Sequence, residues 1–205
     1  MMDCDPCLIP TDYFRELTVD EIFPGWEGDF EVDLGCGDGA FLLGMAREFP
    51  EQRFLGVERL GGRVKKVGKR IQRAKLTNAR ILRLESAYTV GWLLPSHRVS
   101  RLHLLCPDPW PKKKHHRRRL VLSEEFHQGL QRILVPNGEF LLKTDSAEYA
   151  EVAAEAFSAL PAFKKMDWLE DNTFYPTTDF ERQWISEGRQ MHKARWRFVG
   201  YSKKS

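Results

Sequence analysis

The stretch Phe30-Glu31-Val32-Asp33-Leu34-Gly35-Cys36-Gly37-Asp38-Gly39 decides the fold. Its first five residues read as a buried strand. The glycines then turn the chain into an apolar helical run over 40–48, with Phe41, Leu42, Met45 and Phe49 on one side. Glycine lets a backbone turn tightly and approach a ligand with no Cβ in the way, and a helix N-terminus behind it suits polar or negative groups. Outward from this unit the same alternation recurs. A second strand is expected over 53–57, ending at Glu58, then a basic helix over 63–75, a third strand over 79–84, a short helix over 89–94 and a fourth strand over 99–106. A helix over 123–134 follows, with Ser123 and Glu125 as capping candidates. Pro136-Asn137-Gly138 reads as a turn, 139–143 as a fifth strand, 147–160 as a helix, and 163–168 and 194–201 as closing strands. Strand–helix alternation predicts an α/β fold with a mostly parallel sheet covered on both faces. Ligands in such sheets bind beyond the carboxyl ends of the strands.

With 205 residues, 42% of them hydrophobic, the chain suits one compact domain, read here as 29–205 behind an N-terminal segment, 1–28. The aromatic content, 12%, argues against disorder. No run has the apolar length to span a bilayer. Residues 1–10 lack the basic region and apolar run of a secretory signal, so a cytoplasmic protein is expected. Cys4 and Cys7 form a C-x-x-C pair, while Cys36 and Cys106 fall in separate turns. A structural zinc site usually takes two such pairs, so free thiols and no metal are expected. His115 and His116 have no carboxylate or Cys at ligand spacing and are read as phosphate or base contacts.

The net charge is +3, but its distribution says more. The run Lys112-Lys113-Lys114-His115-His116-Arg117-Arg118-Arg119 holds six of the 32 Lys and Arg, leaving 26 against 29 acidic residues elsewhere. Positive charge concentrated in one loop seeks a polyanion. Arg63, Lys65, Lys66, Lys69, Arg70 and Arg73 make a second basic face, either an extension of that surface or simply solvated.

Two ligands compete for the glycine loop. Gly35, Gly37 and Ala40 satisfy the weaker dinucleotide form, G-x-G-x-x-A. Asp33, Gly35, Gly37 and Gly39 satisfy the form in which an acidic strand end precedes G-x-G-x-G, as in S-adenosylmethionine sites. The carboxylates favour the second reading: Asp33 attracts an ammonium and a sulfonium, whereas Asp33 and Asp38 together repel a pyrophosphate. Glu58, ending the second strand, is placed to accept hydrogen bonds from ribose hydroxyls.

The segment Pro107-Asp108-Pro109-Trp110-Pro111, followed by the cationic run, is the most specific feature. Prolines on both sides of Asp108 fix the backbone directly after a strand, and the cations supply phosphate contacts. Here the chain resembles the tRNA (guanine-N7)-methyltransferase family, whose pattern is a strand ending in P-D-P-W, then Lys, then His within a run of Arg and Lys. It matches at Pro107, Asp108, Pro109, Trp110, Lys112, His115, Arg118 and Arg119. Thr144-Asp145 resembles the family's T-D pair, and Thr178-Asp179-Phe180-Glu181 its T-x-F-E motif. The resemblance covers roughly 30–200 and implies a Rossmann-like class I methyltransferase fold of seven strands, the last antiparallel.

By that resemblance the protein transfers a methyl group from S-adenosylmethionine, leaving S-adenosylhomocysteine, to N7 of a guanosine in tRNA, at position 46 of the variable loop. Asp33, Gly35, Gly37, Gly39, Glu58, Ser86 and Asp108 would hold the donor. Lys112, His115, Arg118, Arg119, Asp145, Thr178, Asp179, Phe180 and Glu181 would contact tRNA, and Asp108 is the candidate catalytic residue. The family commonly has Glu where Asp33 stands and Asp or Asn where Ser86 stands. The expected partner is tRNA, not a membrane, and the protein is expected as a monomer or homodimer. Trp168, Trp184 and Trp196 are read as core, and Trp110 as a site residue because its loop is constrained. Two other classes compete: a nicotinamide-dependent oxidoreductase, for which the length leaves little room for a substrate domain, and a non-catalytic RNA-binding protein, against which the acids Asp33, Glu58, Asp108 and Asp145 argue.

Overall fold

The computed structural model describes residues 5–200. The strands are β1 (Cys7–Leu8), β2 (Phe30–Leu34), β3 (Phe54–Glu58), β4 (Ala79–Arg83), β5 (Val99–Leu105), β6 (Leu134–Thr144), β7 (Phe163–Met166) and β8 (His192–Phe198). They form one sheet in the order β1-β4-β3-β2-β5-β6-β8-β7. Pairing is parallel except where β8 meets β6 and β7. The helices are α1 (Val19–Ile22), α2 (Ala40–Glu48), α3 (Gly61–Arg73), α4 (Ser86–Tyr88), α5 (Glu124–Ile133), α6 (Ala147–Ser158) and α7 (Asp179–Ser186). Parallel neighbours need crossovers, and the crossover helices cover the sheet on both sides. Among the described residues no helix is long and apolar enough to cross a membrane.

From β2 the chain builds outward through β3 and β4, then returns to lay β5 and β6 on the other side. The strand order reverses between β2 and β5, and a crevice opens at their carboxyl ends. The glycine loop leaves β2 there and the Pro-rich loop leaves β5. One apolar layer packs Phe30, Val32 and Leu34 against Leu102, Leu104, Phe140 and Trp196. The other seats Phe41, Leu42 and Met45 of α2 and Val64, Val67 and Ile71 of α3 on Phe54 and Ile81.

Four differences from the sequence reading have local causes. The sheet has eight strands, not seven, because residues 7–8 pair with β4. Arg80 fastens this segment, donating to the carbonyls of Asp5, Glu21 and Ile22, and Leu8, Leu17, Ile22 and Phe23 enter the main core. The expected turn at Pro136-Asn137-Gly138 lies inside β6 as a bulge. Leu134 pairs with Val99 and Glu139 with Arg101, so the residues between are extruded, with Asn137 at φ +65°. The short helix over 89–94 is the π-helical continuation of α4, over Thr89–Leu93. Finally, the T-x-F-E motif opens a helix, α7, that the sequence pattern does not predict, although Thr178 and Glu181 have capping-box spacing.

Strand β2 alternates apolar residues with acids, yet all five of its residues are buried. Glu31 is satisfied by His103, whose Nε2 lies 2.8 Å away, and His103 Nδ1 meets the Tyr175 hydroxyl at 2.8 Å. Asp33 has no such partner.

Candidate active site

Three left-handed glycines at alternate positions shape the loop after β2: Gly35 (φ +76°), Gly37 (φ +55°) and Gly39 (φ +74°). The N–H groups of Gly35 and Cys36 both donate to the Val57 carbonyl, at 2.8 and 2.9 Å, tying the loop to the end of β3. Gly39 is the N-cap of α2, and a Cβ there would lie 3.0 Å from Leu43 and Val67. Only glycine combines that backbone with that packing.

Beside the loop, the Asp33 side chain is 4% exposed, and its Oδ2 has no hydrogen-bond partner among the described residues. Burial raises its pKa from the ordinary 3.8 to about 7, against a backbone hydrogen bond from Leu42, and the Glu58 charge adds to the rise. Asp33 lines a chamber of about 190 Å³ with Cys36, Gly37, Asp38, Thr178 and Phe180. Glu58 is also buried, accepting the Leu60 N–H at 2.8 Å, with Arg63 at 3.6 Å. It lines a larger chamber of about 450 Å³ with Glu85, Ser86, Asp108 and Trp110. Gly35, Leu105 and Phe180 line both chambers, so the two adjoin as parts of one cleft. The size is that of a small-molecule site.

The Pro-rich loop forms the far wall. It begins and ends on strained residues, Cys106 at φ +57° and Trp110 at φ +45°. Asp108 is exposed to the large chamber. Around Trp110 stand His115, edge-on at 5.8 Å between ring centroids, and the Arg118 guanidinium at 4.9 Å. Lys112 and Arg118 are exposed and His115 is half-buried. Arg119, expected as a tRNA contact with them, is instead 1% exposed, its side chain buried in the wall of the large chamber.

The T-x-F-E segment starts α7. Thr178 Oγ1 accepts the Glu181 N–H at 3.0 Å and lies 3.7 Å from Cys106 Sγ. Asp179 pairs with Arg182. Phe180 roofs the cleft, beneath the Arg63 guanidinium at 5.5 Å. Glu181, expected as a tRNA contact, lines neither chamber: it is buried and its Oε1 accepts from Lys143 Nζ at 2.8 Å. Asp145 is likewise outside both chambers, paired through Oδ2 with Arg189 at 2.7 Å. Ser86 does line the large chamber as the first residue of α4, next to Glu85, whose Oε2 accepts the Tyr88 N–H at 2.8 Å.

The sequence reading missed Lys143, Trp184 and Tyr149. Lys143 was visible as a lone cation closing the apolar run Phe140-Leu141-Leu142. Trp184, read as core, lines the cleft one helical turn beyond Phe180, at 5.9 Å between rings. Trp196 is core, and Trp168 is half-buried. No group of His, Cys, Asp and Glu suited to a metal ion occurs among the described residues. Cys7 is a free thiol, and Cys4 lies outside the described residues.

A parallel sheet with an acid-flanked glycine loop at its switch point, and a second acid ending the next strand, defines a Rossmann-like methyltransferase. The crystal structure of the 16S rRNA methyltransferase KamB has this fold, with a TM-score of 0.61 over 90% of this chain and 95% of that one, at 20% identity. Residues 28–194 match the model of the family described as "Putative methyltransferase". The tRNA (guanine-N(7)-)-methyltransferase of Chlorobium phaeobacteroides is 34% identical over 90% of this chain and 87% of its own length. That of Syntrophotalea carbinolica is 31% identical over 78% of this chain and 70% of its own. The chain belongs to the tRNA (guanine-N7)-methyltransferase family.

Proposed function

We propose that this protein transfers a methyl group from S-adenosylmethionine to N7 of a guanosine in tRNA, at position 46 of the variable loop. The observation that carries the reading is a cleft with a buried carboxylate, Asp33, whose Oδ2 has no hydrogen-bond partner among the described residues, at one end and Asp108 on a strained loop at the other, with cationic side chains at its mouth. Asp33 Oδ2 suits an ammonium, and Glu58 suits ribose hydroxyls. Gly35, Gly37 and Gly39 give the backbone access, and Ser86 with Glu85 faces the adenine end. These residues would hold S-adenosylmethionine, which supplies an electrophilic methyl group on a sulfonium.

Guanine N7 has a lone pair and no proton, so no general base is required. The protein's work is to align the guanosine and to exclude water. The purine becomes cationic as N7 is alkylated, and a carboxylate at Asp108 stabilises that charge. Trp110, Phe180 and Trp184 offer flat apolar surface to the base. Lys112, His115 and Arg118 contact phosphates at the mouth. Thr178 and Asp179 shape the roof, while Glu181 and Asp145 support it. A monomer or a homodimer acting in the cytoplasm is the proposed form of the protein.

The test incubates the protein with an unmodified tRNA transcript and labelled donor, then maps the modified nucleoside. 7-Methylguanosine in the variable loop is expected; label on any other base or atom rejects the proposal. Asp108→Asn preserves shape and removes charge, so its single-turnover rate should fall about 100-fold or more.

A further inference from the structure

Arg119 closes the cationic run, yet its environment is unlike that of its neighbours. Lys112, Lys114, Arg117 and Arg118 are exposed, whereas no part of the Arg119 side chain reaches solvent. A buried guanidinium is retained only where its donors are used. Nε donates to the Pro109 carbonyl at 2.8 Å and Nη2 reaches the Trp110 carbonyl at 3.5 Å. Nη1 lies 3.3 Å from Glu148 Oε1 on α6, and the guanidinium sits 5.5 Å from the ring of Tyr149, itself buried. His116 Nε2 is 3.2 Å from Nη2.

These contacts answer a need that the loop creates. Pro107, Pro109 and Pro111 have no N–H, so the loop has few donors with which to satisfy its own carbonyls. Trp110, meanwhile, holds a left-handed backbone that only surrounding contacts sustain. A planar fork with five fixed donors bridges two successive carbonyls and a carboxylate; a lysine ammonium does not.

We propose that Arg119 is a positioning residue that clamps the 107–110 loop against α6, so that Asp108 and Trp110 stand at the cleft, and that it is not a tRNA phosphate contact. The proposal rests on the methyl-transfer reading above.

The test compares Arg119→Met and Arg119→Lys with Arg118→Ala in the full chain. Arg118→Ala should flatten the log–log salt dependence of tRNA binding by roughly 0.7 to 0.9, whereas both Arg119 variants should leave the slope unchanged. Single-turnover methylation at saturating tRNA and donor should fall about 100-fold in Arg119→Met and nearly as far in Arg119→Lys, as for a misplaced catalytic group. If Arg119 acts through Asp108, Arg119→Met added to Asp108→Asn should cost little more than Asp108→Asn alone. A merely structural role makes the two losses multiply, and that result overturns the proposal. So does a flattened salt slope with the single-turnover rate intact. Should Arg119→Met not fold, Glu148→Ala at its half-exposed position tests the same clamp: a several-fold rate loss that vanishes on the Asp108→Asn background supports it, and an unchanged rate rejects it. Near-normal methylation by Asp108→Asn would reject the role given to Asp108, and absence of 7-methylguanosine from the parent protein would reject the methyl-transfer reading; neither is the pattern that rejects the clamp alone.

Discussion

Asp33 is the residue whose chemistry is most altered by folding. Its carboxyl titrates near 7 instead of 3.8 because burial disfavours the charge. The sign follows from proton counting. The unliganded folded chain holds a proton that the unfolded chain has released, so this group adds stability as pH falls from about 8 toward 4 and loses it on the way up. Replacing the carboxyl with an amide should therefore raise the melting temperature of unliganded protein at about pH 8 while weakening donor binding, a trade common at functional sites. A cationic donor should draw the proton off. Calorimetry near neutral pH in buffers of different ionisation enthalpy should show proton release on donor binding, and Asp33→Asn should abolish it. With donor saturating, the methyl-transfer rate should stay flat over about pH 6 to 8, since N7 carries no proton to be removed and the transfer needs no general base. A rate that falls below neutrality even at saturation would count against this assignment.

The element that turns the crevice into a chamber is α7. Its eight residues carry Phe180 and Trp184 over the glycine loop. It is capped by Thr178 alone, because Glu181 bonds to Lys143 and not back to the cap backbone. Thr178→Ala should cost about 1 kcal/mol of local stability. Amide exchange over 179–186 should then quicken about fivefold, with β2 unaffected, and donor affinity should drop in proportion. Equal acceleration throughout the sheet would mean that α7 is no separate unit. The elements themselves were largely legible in the sequence: the bounds of β2 and α2 fall where the apolar pattern placed them, and Ser123 caps α5, accepting the Phe126 N–H at 3.2 Å. The exceptions are pieces with little periodicity. Two residues of β1 carry no pattern, and the bulge in β6 looks like a turn because its Asn137 adopts a turn conformation.

Across the whole molecule, α7 is anchored by an ion pair spanning 38 residues, Lys143 on β6 with Glu181. Both side chains are buried, and Lys143 also lies 4.8 Å from the Tyr175 ring. Lys143→Met should destabilise by about 3–5 kcal/mol, because it leaves Glu181 charged and unpaired in the interior. Adding Glu181→Met should restore much of the loss, read as urea midpoints at constant m. A single variant as stable as the parent would show that the pair carries no such burden.

What the sequence determined by itself was the α/β alternation, the glycine loop with Asp33 and Glu58, and the Pro-rich loop with its cations, since turn chemistry and hydrophobic period are written within a few residues. Tertiary structure alone decided the fate of the charges. Arg118 and Arg119 are adjacent and identical in type, yet one faces solvent and the other is buried against Tyr149. Asp145 and Glu181 line neither chamber and are paired instead with Arg189 and Lys143. Whether a charge is exposed, paired or left without a partner depends on groups that only the folded chain brings within reach.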